Sequence, residues 1–305
     1  VMAFLPIPAF LVMIFYVIMY ALNMSTVPML TMIAMNYINE GTYVNFGLAR
    51  GIGSASWATS ALIFGQVVSF LGANILSIAY CVFALVTLFI LYHLPESKIT
   101  ETKTEEVQEE GSVITVIKKY KIFFFLLLGF CFMFSGATAI GTYLINIVKS
   151  LGGNTSLYGV AMFAMAFSEL PVMMTVPKLM KKFNSVTLIL VASIFYICRN
   201  YTIGLAPNLI VLIIGMMFQG LSYGLFTGVI TYYVTYNLDT QDQMSGQTMI
   251  GIMTSGIGST LGNVLGGILQ DTIGLNALFT FVYLMTALGA VIIFICKFVS
   301  LKVKK

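Results

Sequence analysis

Apolar runs of roughly twenty to thirty residues, set apart by short polar turns, follow one another along almost the whole chain. Such a run is what an α-helix needs to cross the hydrocarbon core of a bilayer, about 30 Å thick. In that core only helices and closed barrels satisfy their own backbone groups. A barrel is written in alternating segments of about ten residues, and these runs are far longer. Composition agrees: 59% of residues are hydrophobic, 9% are charged and the mean hydropathy is +0.98. A soluble core cannot absorb that much apolar surface. The expected fold class is all-α, a polytopic membrane protein.

Nine spans are expected, over 7–37, 46–70, 74–94, 117–146, 156–180, 184–204, 208–236, 243–269 and 274–299. The first is long enough to need a tilt or a kink, and Pro28 offers a kink point. Lysines then set the orientation, because positive charge gathers on the cytoplasmic side. Lys98, Lys103, Lys118, Lys119 and Lys121 share one loop, Lys178, Lys181 and Lys182 another, and Lys302, Lys304 and Lys305 close the chain. Nine alternating spans put all three groups on one side and leave Lys149 on the other. A multi-pass protein of the cell membrane is expected, with its carboxyl end cytoplasmic. No basic leader or cleavage site precedes the first span, and Val1 opens the chain directly, so the sequence reads as a fragment or a truncated gene product.

The spans group as triplets over 7–94, 117–204 and 208–299. GIGSASWATS at 51–60 aligns without a gap on GIMTSGIGST at 251–260, pairing Gly51 with Gly251, Ile52 with Ile252, Ser54 with Thr254 and Ser60 with Thr260. Small residues let helices approach closely, and repeated triplets mark transporters that rock one bundle against another. The expected organisation is three helices of a first bundle over 1–94, a polar cytoplasmic linker over 95–116 and a six-helix second bundle over 117–305. Three further helices are expected upstream of Val1, and the fragment is expected to be inactive alone.

Apart from lysines near the span ends, only Arg50, Glu169 and Arg199 are charged inside the apolar runs. An ionisable group there costs a few kcal/mol or more, and it usually faces a cavity and a partner. Glu169 lies about halfway along its span, and Pro171 two residues on frees the carbonyl of Phe167 at the same level. Arg50 lies one turn inside its helix, where snorkelling to the headgroups is the competing reading. Trp57, the only tryptophan, follows at i+7 on roughly the same face. Arg199 lies nearer the outer end of its helix, where an outward snorkel or a packing contact competes with a role in the cavity. Gln219, Ser222, Asn23, Asn146 and Asn263 are neutral polar groups that line a cavity or bond between helices. His93 reads as an interfacial helix cap.

Cys81, Cys131, Cys198 and Cys296 are scattered singly, with neither disulfide nor metal spacing. No phosphate-binding glycine loop, zinc spacing or nucleophile elbow occurs. Neither ATP-driven transport nor an enzyme is supported, and no metal or cofactor is expected. The net charge of +4 sits mostly on lysines near helix ends, so it speaks for orientation and not for nucleic-acid binding.

NFGLARGIGSASW at 45–57 resembles the fifth helix of the oligosaccharide:proton symporters, the lactose permease group of the major facilitator superfamily. FSELPVMMTVPKLMKKF at 167–183 resembles the eighth helix of that group, and APNLIVLIIGMMFQGLSYG at 206–224 the tenth. DTQDQMSGQT at 239–248 resembles the loop before the eleventh. The resemblance covers nearly the whole chain, as helices four to twelve of twelve. It implies that Arg50 and Glu169 are paired sugar-binding charges, that Trp57 is the ring that stacks on the sugar, and that Arg199 is the arginine of the proton-coupling cluster. The chain departs from the pattern at Gln219 and Ser222, which stand at the positions of the coupling histidine and glutamate. It departs again near Thr31, and around Thr138 and Gly141, where neutral residues replace the family's acids. The family's own coupling set is thus incomplete here.

The expected function is secondary transport of a small polar solute by alternating access, a sugar or oligosaccharide with a proton, by a monomer in the lipid bilayer. The alternative is an organic (aromatic) acid permease of the phenylpropionate-permease-like group, in which Arg50 or Arg199 takes the carboxylate. The alternative of another class is a non-transporting membrane receptor or scaffold.

Overall fold

The computed structural model describes residues 8–41, 45–72, 74–94 and 112–303. These residues are helical with short connections and no strand among them. The helices are Ala9–Asn39 (α1), Phe46–Leu71 (α2), Asn74–Tyr92 (α3), Val113–Lys119 (α4), Lys121–Ser150 (α5), Thr155–Lys182 (α6) and Ser185–Gly204 (α7). Leu209–Met217 (α8) and Leu225–Asn237 (α9) are joined by a π-helical segment, Gly220–Gly224. A second π segment, Ile252–Gly258, joins Thr240–Gly251 (α10) to Ser259–Thr272 (α11), and Leu275–Val303 (α12) ends the described chain.

Eight of the resulting long helices are apolar enough to cross a membrane. They include the continuous rods Leu209–Asn237 and Thr240–Thr272, each of which absorbs a π segment. The remaining expected span, α2, forms as a helix of 26 residues but is not among the eight. Most of the expected linker, 95–111, lies outside the described residues, as do Lys98, Lys103, Lys304 and Lys305. Its last residues belong to a short helix: Ser112 accepts from the Ile114 amide and caps α4.

Capping explains where several helices begin. The side chains of Asn45, Asn154, Asn184 and Asn208 accept from the amides of Leu48, Leu157, Val186 and Val211, filling donors that a helix start leaves open. At the far end of α5, Gly152 adopts φ 78°. Its amide and that of Gly153 turn back to the carbonyls of Lys149 and Val148, a left-handed stop that favours glycine.

Two compact units emerge. The first comprises residues 1–44 and 59–107; its described helices are α1, the second half of α2, and α3. The apolar side chains of α1 and α3 are mostly exposed, among them Phe10, Tyr16, Phe83 and Phe89, as suits surfaces facing lipid. Pro28 lies inside α1, which continues through it. The second unit comprises residues 45–58 and 108–305, so Arg50 and Trp57 group with the later helices.

In the second unit α12 lies along α5 and α7, and α11 along α5. Glycine permits these approaches. A Cβ on Gly129 would press on the Gly289 carbonyl at 2.9 Å, and one on Gly262 would overlap the Ser135 carbonyl. The rings of Phe130, Tyr196, Tyr223 and Phe226 pack together beside them. Outside the spans, Lys119 of α4 reaches Asp239 and Asp242 at 2.6 Å each. Tyr120 donates to Asp242 at 3.0 Å and accepts from the Asp239 amide. This clasp ties α4 to the turn before α10. The two carboxylates hold the Lys119 ammonium well above the usual lysine range, and Lys119 in turn holds Asp239 below the usual carboxylate range.

Candidate functional site

α6 is a helix with two prolines inside it, Pro171 and Pro177. Proline removes an amide and loosens the helix one turn back, which here is the level of Phe167 to Glu169. The Gly220–Gly224 π segment meets α6 at that level. A Cβ on Gly220 would overlap the Ser168 carbonyl, and one on Gly224 would come to 3.5 Å from Glu169. The Gly220 amide donates to Ser168 Oγ at 3.0 Å. Two backbones are therefore in contact exactly where one carries the buried acid. Single-turn π segments recur at functional sites because they disturb the regular hydrogen-bond ladder.

Glu169 is 5% exposed. Gln219, the residue before the π segment, donates its side-chain amide to Glu169 Oε1 at 3.1 Å. Its own carbonyl oxygen is buried and has no hydrogen-bond partner among the described residues. Ser222, also buried, turns away and donates to the Phe218 carbonyl at 2.9 Å. Of the two neutral residues at coupling positions, Gln219 joins the acid and Ser222 does not.

Arg199 is 1% exposed, so of the competing readings the outward snorkel falls away: Arg199 turns inward although it lies in the last turns of α7. Its Nη1 donates to Asn200 Oδ1 at 2.9 Å, and Nη2 approaches the Met165 sulfur at 4.0 Å. Nε has no partner among the described residues, nor has the buried hydroxyl of Tyr196. Met165 stands one turn before Glu169 on the same face of α6. Arg199 and Tyr196 both interact electrostatically with Glu169. The site is an acid, a guanidinium and a phenol in one water-poor neighbourhood, with Gln219 reaching the acid from just before the π segment. Donor and acceptor atoms remain open there, and buried polar atoms are ordinarily satisfied.

Arg50 is half-buried and makes no ion pair or hydrogen bond among the described residues. Its helix nonetheless touches α6. A Cβ on Gly47 would overlap the Met173 carbonyl, and one on Gly51 would reach the Leu170 Cα at 3.0 Å. Arg50 thus stands beside the residue that contacts Glu169's chain neighbour. Trp57 is 54% exposed.

Among the other candidates, Asn263 accepts from Thr142 at 2.7 Å, bonding α11 to α5. Asn146 is half-buried, ten residues or about 15 Å of helix beyond Gly136, which abuts Thr286. Asn23 is exposed in the first unit. His93 bonds the Phe89 carbonyl at 2.8 Å, as a helix-end residue does. No cluster of potential metal ligands occurs among the described residues.

Sequence reasoning missed Tyr196, Asn200 and Thr286. Asn200 donates to Thr286 Oγ1 at 2.7 Å and both are fully buried. The available signal was an Arg-Asn pair inside an apolar run.

The profile of the MFS_1 like family matches residues 4–281. A maltose permease of Geobacillus stearothermophilus is 21% identical over 277 residues, covering 91% of this chain and 69% of that protein. Among solved structures, the major facilitator superfamily transporter FucP in the outward conformation superposes with a TM-score of 0.57 at 16% identity, over 82% of this chain and 67% of that one. A variant of the Escherichia coli fucose:proton symporter FucP gives the same TM-score and identity over 82% and 68%. At such identities the structural likeness establishes the fold.

Proposed function

Because this chain belongs to the MFS_1 like family, we propose that it carries a small polar solute across the membrane by alternating access, with a sugar or oligosaccharide as the favoured cargo. The observation that carries this reading is the buried carboxyl of Glu169, hydrogen-bonded by Gln219 and within electrostatic reach of Arg199. A carboxylate accepts from vicinal hydroxyls and a guanidinium donates to them, so the pair suits a polyol. Arg50 would add bidentate donors beside α6, and Trp57 a ring face for a sugar. The names of the relatives, a maltose permease and a fucose:proton symporter, support the same class.

Proton coupling would fall to Glu169, the one acid in the described membrane-spanning interior that interacts with a buried arginine. Gln219 and Ser222 carry no titratable proton, so coupling would not run through the α8 rod. The distribution of its lysines supports a carboxyl end on the cytoplasmic side of the cell membrane.

A second reading is favoured by Arg199, whose guanidinium has one strong hydrogen bond and an open Nε. Such a group would also take a carboxylate, as an organic-acid permease requires. The experiment is uptake of labelled maltose and of labelled fucose by the full-length protein in proteoliposomes, with a pH electrode recording proton movement. Uptake competed by sugars and accompanied by alkalinisation of the medium supports the first reading. Competition by aromatic carboxylates instead of sugars supports the second. No flux of either class defeats both and leaves the receptor or scaffold.

A further inference from the structure

We propose that Asn200 and Thr286 are positioning residues that fix the direction in which the Arg199 guanidinium presents its charge. The inference rests on the site described above and deepens it. Arg199 has five N–H donors and a single strong acceptor, Asn200 Oδ1 at 2.9 Å. A head held at one point turns about that point unless its acceptor is itself fixed. A primary amide is nearly two-fold symmetric in shape. Left alone, Asn200 could offer its NH2 to the guanidinium, donor against donor.

Thr286 prevents this by elimination. Its hydroxyl has one proton, and that proton goes to the Val282 carbonyl at 2.7 Å, one turn back in α12. Toward Asn200 the oxygen can then only accept, so Asn200 must present its NH2 to Thr286 at 2.7 Å. Its carbonyl is thereby aimed at Arg199. The direction of every bond follows from the first, and all three side chains are buried. Gly136 of α5 packs against the same turn, where a Cβ would meet the Val282 carbonyl at 3.3 Å.

The neutrality of the holder matters as much as its direction. Asparagine orients the guanidinium without cancelling its charge, which stays available to Glu169 and to a solute. A carboxylate in the same place would still accept from Arg199, but it would consume the charge and, having no N–H for Thr286, would lose the bond that aims it. Asn200→Asp therefore tests the neutral holder, and Thr286→Val the aim alone.

The test uses the full-length protein in proteoliposomes with labelled maltose as the probe, and heat unfolding of the same preparations. Losing one buried orienting hydrogen bond in Thr286→Val is expected to raise the KM about tenfold while Vmax is kept. Thr286→Ser restores the wild-type KM, and Asn200→Asp raises it further than Thr286→Val. An unchanged KM in both Thr286→Val and Asn200→Asp overturns the proposal. Heat unfolding judges it independently of flux. Arg199 and Thr286 share a partner, so the double variant Arg199→Met with Thr286→Val is expected to have a Tm that departs from the sum of the single changes. A strictly additive Tm overturns the relay. Should the wild type move no maltose, it is the sugar reading that fails, and the Tm cycle decides the relay by itself.

Discussion

Gln219 donates to Glu169 at 3.1 Å from a helix whose next residue, Gly220, has no side chain to hold the two backbones apart. The bond and the glycine are one device. The close approach lets a neutral amide reach a carboxyl in the middle of a membrane helix, and the amide's own oxygen stays open to a further donor.

Removing the charge of Glu169 while keeping its shape is the direct test of its role. Hydrogen bonds to a charged group are worth about 1.5–3 kcal/mol, so Glu169→Gln is expected to lower kcat/KM for maltose uptake by roughly tenfold to a hundredfold. Wild-type uptake in this variant shows the carboxyl to be structural.

Gly220→Ala forces a methyl group into the Ser168 carbonyl. Overpacking of this kind typically costs about 1–3 kcal/mol, and a lowered Tm with weakened solute binding is expected. Gly141→Ala is the control, because a Cβ there meets nothing within 4 Å. In a helix interior that change is expected to be neutral or to stabilise by up to about 1 kcal/mol. Equal Tm losses in the two variants would contradict the close contact.

The clasp of Lys119 with Asp239 and Asp242 gives a pH signature. Asp239 is held below its ordinary value, so its contribution is complete above the usual carboxylate range and disappears as pH falls through the depressed one. Lys119 is held above its ordinary value, so its contribution is complete below the usual lysine range and is lost only in strong alkali. The Tm difference between wild type and Lys119→Gln should be flat through neutral pH and shrink toward strong acid. High salt should reduce it, because Lys119 and Asp239 reach solvent. A difference that grows on acidification contradicts the assignment.

Arg50 is open to a lysine swap. An ammonium snorkels as well as a guanidinium but lacks its fixed pair of donors. If Arg50 binds solute, Arg50→Lys is expected to raise the KM about tenfold, nearly as far as Arg50→Ala. Full uptake in Arg50→Lys reduces the residue to an interfacial anchor.

The membrane helices were legible because burial in lipid is decided by length and polarity, which are local properties. The position of Glu169 beside Pro171 was legible for the same reason. The rest depended on partners far apart in the chain. Asn200 and Thr286 are 86 residues apart, and Lys119 and Asp239 are 120 apart; no periodicity within either segment announces the pairing. The choice between a cavity role and an outward snorkel stayed open for Arg199, because its place near a helix end says nothing about which way a long side chain turns. The π segments escaped for a different reason: the same glycines that permit them also fit an ordinary α-helix. The small-residue blocks at 51–60 and 251–260 were read as places of close helix approach, and Gly51 against Leu170 and Gly258 against the Cys131 carbonyl at 3.1 Å are such places.

A crevice that has no room for a methyl group has no room for a sugar. Gly47 and Gly51 lie against Met173 and Leu170 on the half of α6 that runs toward Lys181 and Lys182. In the conformation described, α2 and α6 are in backbone contact there, so any solute that reached Glu169 from the lysine end would first have to part Gly47 and Gly51 from Met173 and Leu170.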